Sequence, residues 1–447
     1  MTQAATAPGP RGNVLFHPSF NVRSKTHTYL QKLEKDYGDI SRIKFGPFNV
    51  IYLAKPDYIE HMLLHRDTYV KVKEGGMLRQ LLGNGLLTSE GEFWLKQRRL
   101  IQPVFHKQRL QLFAQKIADS ATEMLAGWEK HEGQVLDIYG EMNQVTLDIV
   151  GRTLLSTNIK GEFGKVSQAL TNMLKAVTNR SRFMRFPLWF PLPSHLRIQR
   201  NLHILDETIA EIINRRRSET GKFDDLLTML MEVEDADTAE RMTDRQLRDE
   251  ALTIFIAGHE TTANAMAFTL YLLAEHPEIK VRLQQELSAV LGDSEISFDK
   301  LQRLEYTTMV IKESMRLYPP AWIIVREAAH DDVLGGYAIK KGDKVLASPY
   351  AMQRSERLWQ EPEVFSPERF TADKIKDIPR YAYFPFGGGA RLCVGNNFAM
   401  MEMQILLAQI CLHYDFTLSE DFKMDVTPLI TMRPKEGVPL KLVKRKR

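Results

Sequence analysis

Cysteine is scarce in this chain: Cys393 and Cys411 are the only two among 447 residues. Two cysteines cannot build a disulfide framework, and they cannot supply the four thiolates of a structural zinc or iron–sulfur site. So few cysteines are typical of a reducing compartment, and we expect a cytoplasmic protein. Any chemistry that needs a thiolate must therefore rely on a single sulfur.

A signal-peptide pattern and a strong charge of either sign are also not seen in the sequence. The first 16 residues contain no basic segment followed by an apolar run, so we expect neither a signal peptide nor an N-terminal membrane anchor. The net charge of +4 is too small and too dispersed to indicate a nucleic-acid-binding protein. Residues 251–273 are apolar, but His259 and Glu260 near their middle would be costly in hydrocarbon. A buried helix with a polar centre is the better interpretation.

No internal repeat or low-complexity linker divides the chain, and its 44% hydrophobic content can build a large core. We expect one domain over residues 1–447. The segment 40–53 has two β-rich runs around Gly46 and Pro47, which predicts a hairpin. Apolar residues at three- and four-residue spacing then predict helices over most of residues 56–276.

The longest predicted helix begins after Thr243. Thr243 and Gln246 have the spacing of a capping box, and the acidic segment 232–240 before them is predicted to be a surface loop. The helix should continue for about 30 residues, until Pro277 ends it. Short β runs such as 344–346 follow later. The predicted fold class is mostly α with a minor β-sheet region.

The glycine-rich segment 386–395, FGGGARLCVG, isolates Cys393 directly before the predicted apolar helix 397–413. Its three consecutive glycines allow positive φ and a close approach of the backbone to a flat group. Arg391 offers a forked cation suited to a carboxylate. A phosphate-binding loop is excluded because no Lys-Ser or Lys-Thr follows, and Leu392 occupies the third glycine position of a dinucleotide-binding loop. A structural cysteine in a glycine turn remains the alternative.

Five positions of this segment match the haem-binding signature of the cytochrome P450 family: Phe386, Gly389, Arg391, Cys393 and Gly395. The chain resembles a soluble, bacterial-type haem-thiolate monooxygenase without a fused reductase. The resemblance implies the cytochrome P450 fold and a haem b (iron protoporphyrin IX) whose iron binds the Cys393 thiolate. It also implies that Phe386 and Gly395 contact the haem, that Arg391 binds a propionate, and that O2 is a co-substrate.

The long helix carries AGHETT at residues 257–262, in which Glu260 and Thr261 form an acid–alcohol pair. A threonine hydroxyl that bonds a carbonyl of the preceding turn can open a helix locally and admit water. The resemblance implies that this pair delivers protons during oxygen activation and that Ala257 lies against the haem. A surface or capping threonine pair is the alternative. His259, offset by one residue, is predicted to be packed and non-ligating.

Two further motifs support the resemblance. Glu313 and Arg316 form ExxR and share a helical face, and PERF follows at 367–370. The family pattern implies that Arg369 completes a structural network with this pair and holds the loop around the thiolate. Earlier in the chain, Trp94 and Arg98 occupy one helix face and supply donors suited to a haem propionate.

The resemblance implies that a propionate clamp also includes Arg326 and Arg391. Taken alone, Trp94 and Arg98 form a commonplace pair that is more often surface packing. An apolar substrate pocket is implied as well, in which burial supplies the affinity. Its predicted walls are Leu87, Ala321, Ile323 and Ile430.

Two segments of the sequence indicate different classes of substrate. GLLTS at 85–89 resembles the fatty-acid-hydroxylating branch of the family, whereas RLYPPAW at 316–322 resembles members that act on long terpenoid or fatty chains. A fatty carboxylate would be anchored by Lys71, Lys73 or an arginine of segment 180–190. That segment mixes arginines with aromatics, so a lid that contacts a membrane surface is a further hypothesis, beside a simple packed loop.

We expect hydroxylation or epoxidation of a lipophilic substrate, either a long-chain fatty acid or a terpenoid- or carotenoid-like molecule. Electrons should come from a separate ferredoxin or flavodoxin with its reductase, because no reductase segment is recognised in the chain. An acidic partner could meet a basic set that comprises Lys96, Arg99, Lys107 and Arg109. The alternatives are a peroxide-driven peroxygenase, a haem-thiolate isomerase and a non-catalytic haem-thiolate sensor. The acid–alcohol pair favours the monooxygenase.

Overall fold

The computed structural model describes residues 4–13, 25–72, 79, 82–156, 169, 193–219, 223–235, 237–292 and 296–445. Within these residues the fold is mostly α with a minor β-sheet region, which confirms the predicted class. No helix in the described ranges combines the length and hydropathy that a bilayer span requires.

The helices, in chain order, are α1 (Thr26–Tyr37), α2 (Pro56–Leu64), α3 (Gly91–Ile101), α4 (Lys107–Trp128), α5 (Ile138–Leu155), α6 (Pro193–Ser218), α7 (Leu226–Glu232), α8 (Asp244–Glu275), α9 (Pro277–Val290), α10 (Phe298–Leu301), α11 (Glu305–Leu317), α12 (Pro349–Met352) and α13 (Asn396–His413). The strands are β1 (Ile40–Phe45), β2 (Phe48–Leu53), β3 (Tyr69–Val70), β4 (Val135–Asp137), β5 (Ile324–Ala328), β6 (Asp332–Leu334), β7 (Tyr337–Ile339), β8 (Lys344–Ala347), β9 (Tyr414–Leu418), β10 (Val426–Pro428), β11 (Met432–Pro434) and β12 (Pro439–Lys444).

Two compact units divide the chain. The first comprises Met1–Glu74, Gly127–Gly140 and Thr261–Arg447, and the second comprises Gly75–Ala126 and Glu141–Glu260. Helix α8 is continuous across the boundary between them. The expectation of one domain over the whole chain stays a prediction.

The main sheet of the first unit has the strand order β1-β2-β8-β5-β3. The predicted hairpin is confirmed, because β1 and β2 pair antiparallel with Ile40 opposite Leu53, and Gly46 takes a φ of 58° in the turn. Strand β8 pairs parallel with β2, and β5 pairs antiparallel with β8. A parallel pair needs a long crossover, so distant parts of the chain meet in this sheet. Ile51 and Val345 lie in the core that the sheet covers.

Helix α8 begins at the predicted capping box. The Thr243 backbone N–H donates to Gln246 Oε1 at 2.7 Å, and the Gln246 N–H donates back to Thr243 Oγ1 at 3.3 Å. The helix has 32 residues, and Pro277 at the first position of α9 follows its end. At 1.5 Å per residue its length is about 48 Å. Both predicted ends of the helix are therefore confirmed.

The second unit contains a buried ion pair beside the loop after α6. The Arg216 guanidinium lies 2.5 Å from Asp225 Oδ2, and both side chains are almost fully buried. Asp225 also caps α7, because its carboxylate accepts the Thr228 N–H at 2.9 Å. One carboxylate thus fixes both the end of α6 and the start of α7.

Candidate active site

The glycine-rich loop before α13 folds tightly on itself. The Cys393 N–H donates to the Phe386 carbonyl at 3.1 Å, and the Leu392 N–H donates to the Gly389 carbonyl at 3.1 Å. The Gly387 N–H donates to the Phe384 carbonyl at 2.9 Å. These bonds set the position of the Cys393 side chain before any ligand binds.

Residues 387–389 require glycine, but only two of the three have the positive φ that we expected of all three. Gly387 and Gly389 have φ values of 75° and 63°, whereas Gly388 is extended at −173°. A Cβ on Gly388 would lie 2.3 Å from Tyr381 Cε1, and one on Gly389 would lie 2.2 Å from the Leu63 carbonyl oxygen. The close approach seen at these two glycines is therefore to the protein's own side chain and backbone.

The two thiols have different environments. Cys393 is exposed on the loop. Cys411 is buried within α13, and burial raises its pKa to about 12, so it is a neutral thiol at physiological pH. The thiolate, and not the neutral thiol, is the form of cysteine that binds a metal. Of the two cysteines, Cys393 could therefore ligate a haem iron, whereas Cys411 does not fit that role.

The ExxR residues and the arginine of PERF form one buried network. Arg316 donates to both carboxylate oxygens of Glu313, at 2.7 and 2.8 Å, and both side chains are fully buried. Arg369 Nε donates to Glu313 Oε1 at 3.3 Å. The remaining Arg316 N–H groups donate to backbone carbonyls, at Pro362 and Val364 among them. The structure thus brings the three predicted network residues together.

Gln353 connects this network to the cysteine loop, and sequence reasoning missed it. Its side-chain amide donates to the carbonyls of Met315 and Arg316, each at 3.0 Å. Its Oε1 accepts the Phe384 N–H at 3.0 Å. The side chain is fully buried. Because Phe384 leads directly into the glycine-rich loop, Gln353 is a hydrogen-bonded link between α11 and the loop that carries Cys393.

Two predicted pocket walls lie side by side in the first unit. The Met432 N–H donates to the Pro320 carbonyl, and Trp322 Nε1 donates to the Leu429 carbonyl, each at 2.9 Å. These bonds join the segment that carries Ala321 and Ile323 to the turn that carries Ile430. Ile430 is 49% exposed. Ala321 is also exposed, and Ile323 is half-buried.

This apolar surface continues to the cysteine loop and to α8. A Cβ on Gly387 would lie 3.7 Å from Ile324 Cδ1, so the wall segment lies beside the loop. On α8, Asn264 Nδ2 donates to Thr431 Oγ1 at 3.2 Å. Asn264 lies three residues after Thr261 and so shares its helix face. The structure therefore places the face of Thr261 beside the turn of Ile430.

The four α8 residues 257–260, in the second unit, differ in their burial and contacts. Ala257 is exposed in the middle of a buried helix, whereas Gly258 packs against α5, because a Cβ there would lie 3.3 Å from Val150 Cγ2. Gly258 therefore serves helix packing. His259 is buried and hydrogen-bonds the Phe255 carbonyl at 3.1 Å, and burial lowers its pKa, which agrees with a packed, non-ligating role. Glu260 is half-buried.

The candidate propionate ligands are placed as follows. Trp94 is 3% exposed and Arg98 is half-buried, both on α3 of the second unit. In the first unit, Arg326 on β5 is half-buried and donates from Nη1 to the Val325 carbonyl at 3.0 Å, while Arg391 is half-buried in the glycine-rich loop.

The predicted basic set is largely engaged within the chain. Lys96 pairs with Glu240, and Arg99 pairs with Asp237 and, at 3.1 Å, with Asp235. Asp235 is 2% exposed, so the acidic segment is not simply a surface loop as expected. Its carboxylate also accepts two backbone N–H bonds within its own turn. The acidic residues thus neutralise the two α3 cations that we expected to face a partner.

Several predictions lie outside the described residues. Lys73 and the segment 180–190 are not described, and neither is the side chain of Lys107. The carboxylate-anchor and lid hypotheses therefore stay predictions. Arg109, the fourth member of the basic set, is exposed, and Leu87 is 37% exposed in the second unit.

Comparison with known proteins gives a consistent picture. A family model described as Cytochrome P450 matches residues 7–440. The chain is 33% identical over 379 residues to cyclooctat-9-en-7-ol 5-monooxygenase of Streptomyces melanosporofaciens, covering 84% of this chain and 82% of that protein. It is 31% identical over 448 residues to pentalenene oxygenase of Streptomyces avermitilis, covering 99% and 98%. The fold is similar to the crystal structure of the cytochrome P450DA heme domain, with a TM-score of 0.90, 25% identity and coverage of 99% and 98%.

Proposed function

The chain belongs to the cytochrome P450 family and is a monooxygenase, and we propose that it hydroxylates or epoxidises a lipophilic, terpenoid-like substrate. The observation that carries the substrate class is the apolar surface around Ile430. Residues 320–324 and the turn 429–432 join there beside the face of Thr261, and an exposed isoleucine stands at its edge. Such a surface binds by burial of apolar area and offers little to a carboxylate. The printed names of two relatives, an oxygenase of pentalenene and one of cyclooctat-9-en-7-ol, agree with this class.

The family uses haem and O2, and we propose haem b as the form bound here. When bound, a haem with a thiolate ligand supplies the oxygen-activating chemistry, because thiolate donation favours O–O cleavage. Cys393 would provide that thiolate, since it is exposed at the tip of a preorganised loop. Phe386 and Gly395 in the same loop and Ala257 on α8 would line the haem. The propionates would be held by Trp94, Arg98, Arg326 and Arg391.

Proton delivery is proposed for Glu260 and Thr261. The Glu260 carboxyl would supply the proton, and Thr261 Oγ1 would pass it on toward the apolar pocket. Thr261→Ala should keep consuming reductant while product falls by about tenfold or more and hydrogen peroxide accumulates. Thr261→Ser, which keeps the hydroxyl, is the matched control and should stay coupled. Equal coupling in both variants would contradict the relay, and full turnover with peroxide alone would favour the peroxygenase alternative.

The substrate proposal is tested by titration of the ferric protein with pentalenene and, in parallel, with a long-chain fatty acid. We expect pentalenene to shift the Soret band from its low-spin to its high-spin position, because a substrate that binds beside the haem would change the spin state of the iron. Ile430→Asp should weaken that response, whereas Val333→Asp, at a 57% exposed valine on β6, should not. A shift with the fatty acid alone would contradict the proposal and favour a carboxylate anchor such as Lys71.

Members of the family generally need a redox partner, and we propose a separate ferredoxin or flavodoxin with its reductase. Arg109 is exposed, but Lys96 and Arg99 are already paired, so the basic surface offered to an acidic partner is smaller than the sequence suggests. Product that depends on NAD(P)H should appear with at least one donor of these two types. Its absence with every such donor would favour the non-catalytic sensor.

A further inference from the structure

Two adjacent buried carboxyls on α8 hold the backbone of the loop that carries Leu87. The Asn84 N–H donates to Asp249 Oδ2 at 2.8 Å, and the Leu86 N–H donates to Glu250 Oε2 at 3.0 Å. Asp249 is 4% exposed and Glu250 is 1% exposed. We call residues 83–88 the Leu87 loop. Both carboxyls and the loop belong to the second unit.

The Leu87 loop fits against α8 without room for side chains at its glycines. A Cβ on Gly83, where φ is 60°, would lie 2.2 Å from Asp249 Oδ1. A Cβ on Gly85 would lie 2.2 Å from Thr253 Oγ1. Thr88 Oγ1 closes the loop by donating to the carbonyls of Gly83 and Gly85, at 2.9 and 3.1 Å. The backbone is thus fixed on the helix.

The side chain of Leu87 points away from this fixed backbone toward the surface. Leu87 is 37% exposed, although Leu82 and Ser89 on either side of the loop are fully buried. A leucine held outward by a fixed backbone can present a defined apolar contact. Its position depends on the two carboxyls, because they accept the N–H groups on either side of Gly85.

We propose that Asp249 and Glu250 are positioning residues that set where Leu87 stands, and that Glu250 makes this position depend on pH. The consequence for substrate rests on the proposed function and on the prediction from the sequence that Leu87 is a pocket wall. Neither carboxyl contacts the reacting atoms in this role. They act through the backbone of the Leu87 loop.

The chemistry of Glu250 supports the pH dependence. Burial raises its pKa to about 8, the Leu86 N–H opposes this shift, and the charge of Asp249 adds to it. Glu250 Oε1 has no hydrogen-bond partner, which suits a neutral acid better than a carboxylate. Asp249 pairs with Arg248, which lies 2.8 Å from it and also binds Asp206 of α6 at 2.7 Å. The raised pKa of Glu250 lies near neutral pH.

The sign of the effect follows from the two pKa values. In the closed loop the pKa of Glu250 is about 8, and in an open loop exposed to water it returns toward its ordinary value of 4.5. The closed loop therefore holds a proton that the open loop releases between these values. The free energy that favours the closed loop over the open loop is greatest below about pH 4.5. It falls as the pH rises toward about 8 and changes no further above that pH.

Amide hydrogen exchange of the full chain without substrate tests the inference directly. The variants are Glu250→Gln, which keeps an acceptor but cannot ionise, and Glu250→Leu, which keeps volume but removes the acceptor. Protection of residues 82–89 is compared between proteins at the same pH, so that the intrinsic exchange rate cancels. Asp244→Asn, at an exposed carboxylate in the first turn of α8, is the control for an unrelated charge change.

We expect protection of the Leu87 loop in the native chain to fall relative to Glu250→Gln by up to roughly tenfold per pH unit between about pH 5 and pH 8. Glu250→Leu should be poorly protected at every pH, and Asp244→Asn should follow the native chain. A constant ratio between the native chain and Glu250→Gln across this range would overturn the pH dependence. Native protection in Glu250→Leu would overturn the positioning role.

The effect of the Leu87 position on ligand binding is measured separately, in the haem-loaded protein. The ratio of the 4-phenylimidazole dissociation constants of the native chain and Glu250→Gln, followed by the Soret band at each pH, should change with pH, because protonation of the ligand itself affects both proteins equally. Leu87→Ala should abolish that difference. A pH-dependent exchange pattern without any effect on 4-phenylimidazole would overturn the link to the pocket. Because this ligand is not a substrate, failure of the terpenoid assignment leaves both tests interpretable.

Discussion

Arg316 and Gln353 hold each other by reciprocal hydrogen bonds. Arg316 Nη1 donates to the Gln353 carbonyl at 2.7 Å, and Gln353 Nε2 donates to the Arg316 carbonyl at 3.0 Å. Both side chains are fully buried. The Glu313–Arg316 ion pair is thereby connected to the N–H of Phe384, at the entrance of the loop that carries Cys393. The network thus reaches the loop that carries Cys393 through hydrogen bonds to the backbone.

Gln353→Ala should destabilise the protein and loosen the cysteine loop. The substitution leaves the Phe384 N–H and two carbonyls of α11 buried without their partner, so we expect a loss of roughly 2–4 kcal/mol in the free energy of unfolding. Haem retention should fall in parallel. Chemical denaturation and the Soret absorbance measure the two effects. The exposed Gln360 provides the control, and an equal response of Gln353→Ala and Gln360→Ala would contradict the linking role.

Gly389→Ala should be much more damaging than Gly336→Ala. Both glycines have positive φ, at 63° and 85°. A Cβ on Gly389 would lie 2.2 Å from the Leu63 carbonyl oxygen, whereas nothing lies within 4 Å at Gly336. Gly336→Ala should cost about 1–2 kcal/mol from backbone strain alone. Gly389→Ala must also displace α2 or the cysteine loop, and comparable unfolding free energies for the two variants would show that this contact is not restrictive.

Acid should destabilise the protein partly through His27. This histidine is 7% exposed, and burial, aided by the charge of Arg354 and opposed by Asp425, lowers its pKa to about 4. The unfolded chain therefore binds a proton between about pH 6.5 and pH 4 that the folded chain does not. Stability from this group is present above pH 6.5 and is lost as the pH falls, by at most about 3 kcal/mol.

His27→Gln isolates this contribution. The unfolding free energy of the native chain should drop between pH 7 and pH 4 by more than that of the variant, since glutamine does not titrate. Parallel pH profiles for the two proteins would contradict the assignment. The ring of His27 also packs edge-on against Tyr350, at 5.0 Å between centroids, so lost packing should make the variant less stable already at pH 7, before the pH-dependent difference develops.

Local signals in the sequence were sufficient for several elements. The capping box of Thr243 and Gln246 and the hairpin around Gly46 were predicted correctly, because each depends on residues a few positions apart. The family motifs also predicted the pairing of Glu313 with Arg316 and Arg369. In each case the chemistry and the spacing of the residues were sufficient to predict the partner.

Long-range partners could not be predicted in this way. Gln353 is an ordinary glutamine in the sequence, and its bonds reach residues 31 to 38 positions away. Asp249 and Glu250 look like the polar start of a helix, but 164 to 165 positions separate them from the backbone groups that they bind. The pairing of Lys96 with Glu240 is similarly remote. Tertiary packing decides which polar residues become buried, and the spacing of residues along the chain does not predict this burial.

The thiolate assignment is tested most directly by turnover under heavy-isotope O2, with pentalenene and a working electron donor. The native chain should form product that carries one oxygen atom from O2. Cys393→His should retain some haem yet form no such product, because the thiolate that favours O–O cleavage is gone. Cys411→Ala removes the buried, neutral thiol and should behave as the native chain does. Heavy-oxygen product from Cys393→His at the native rate would contradict the account.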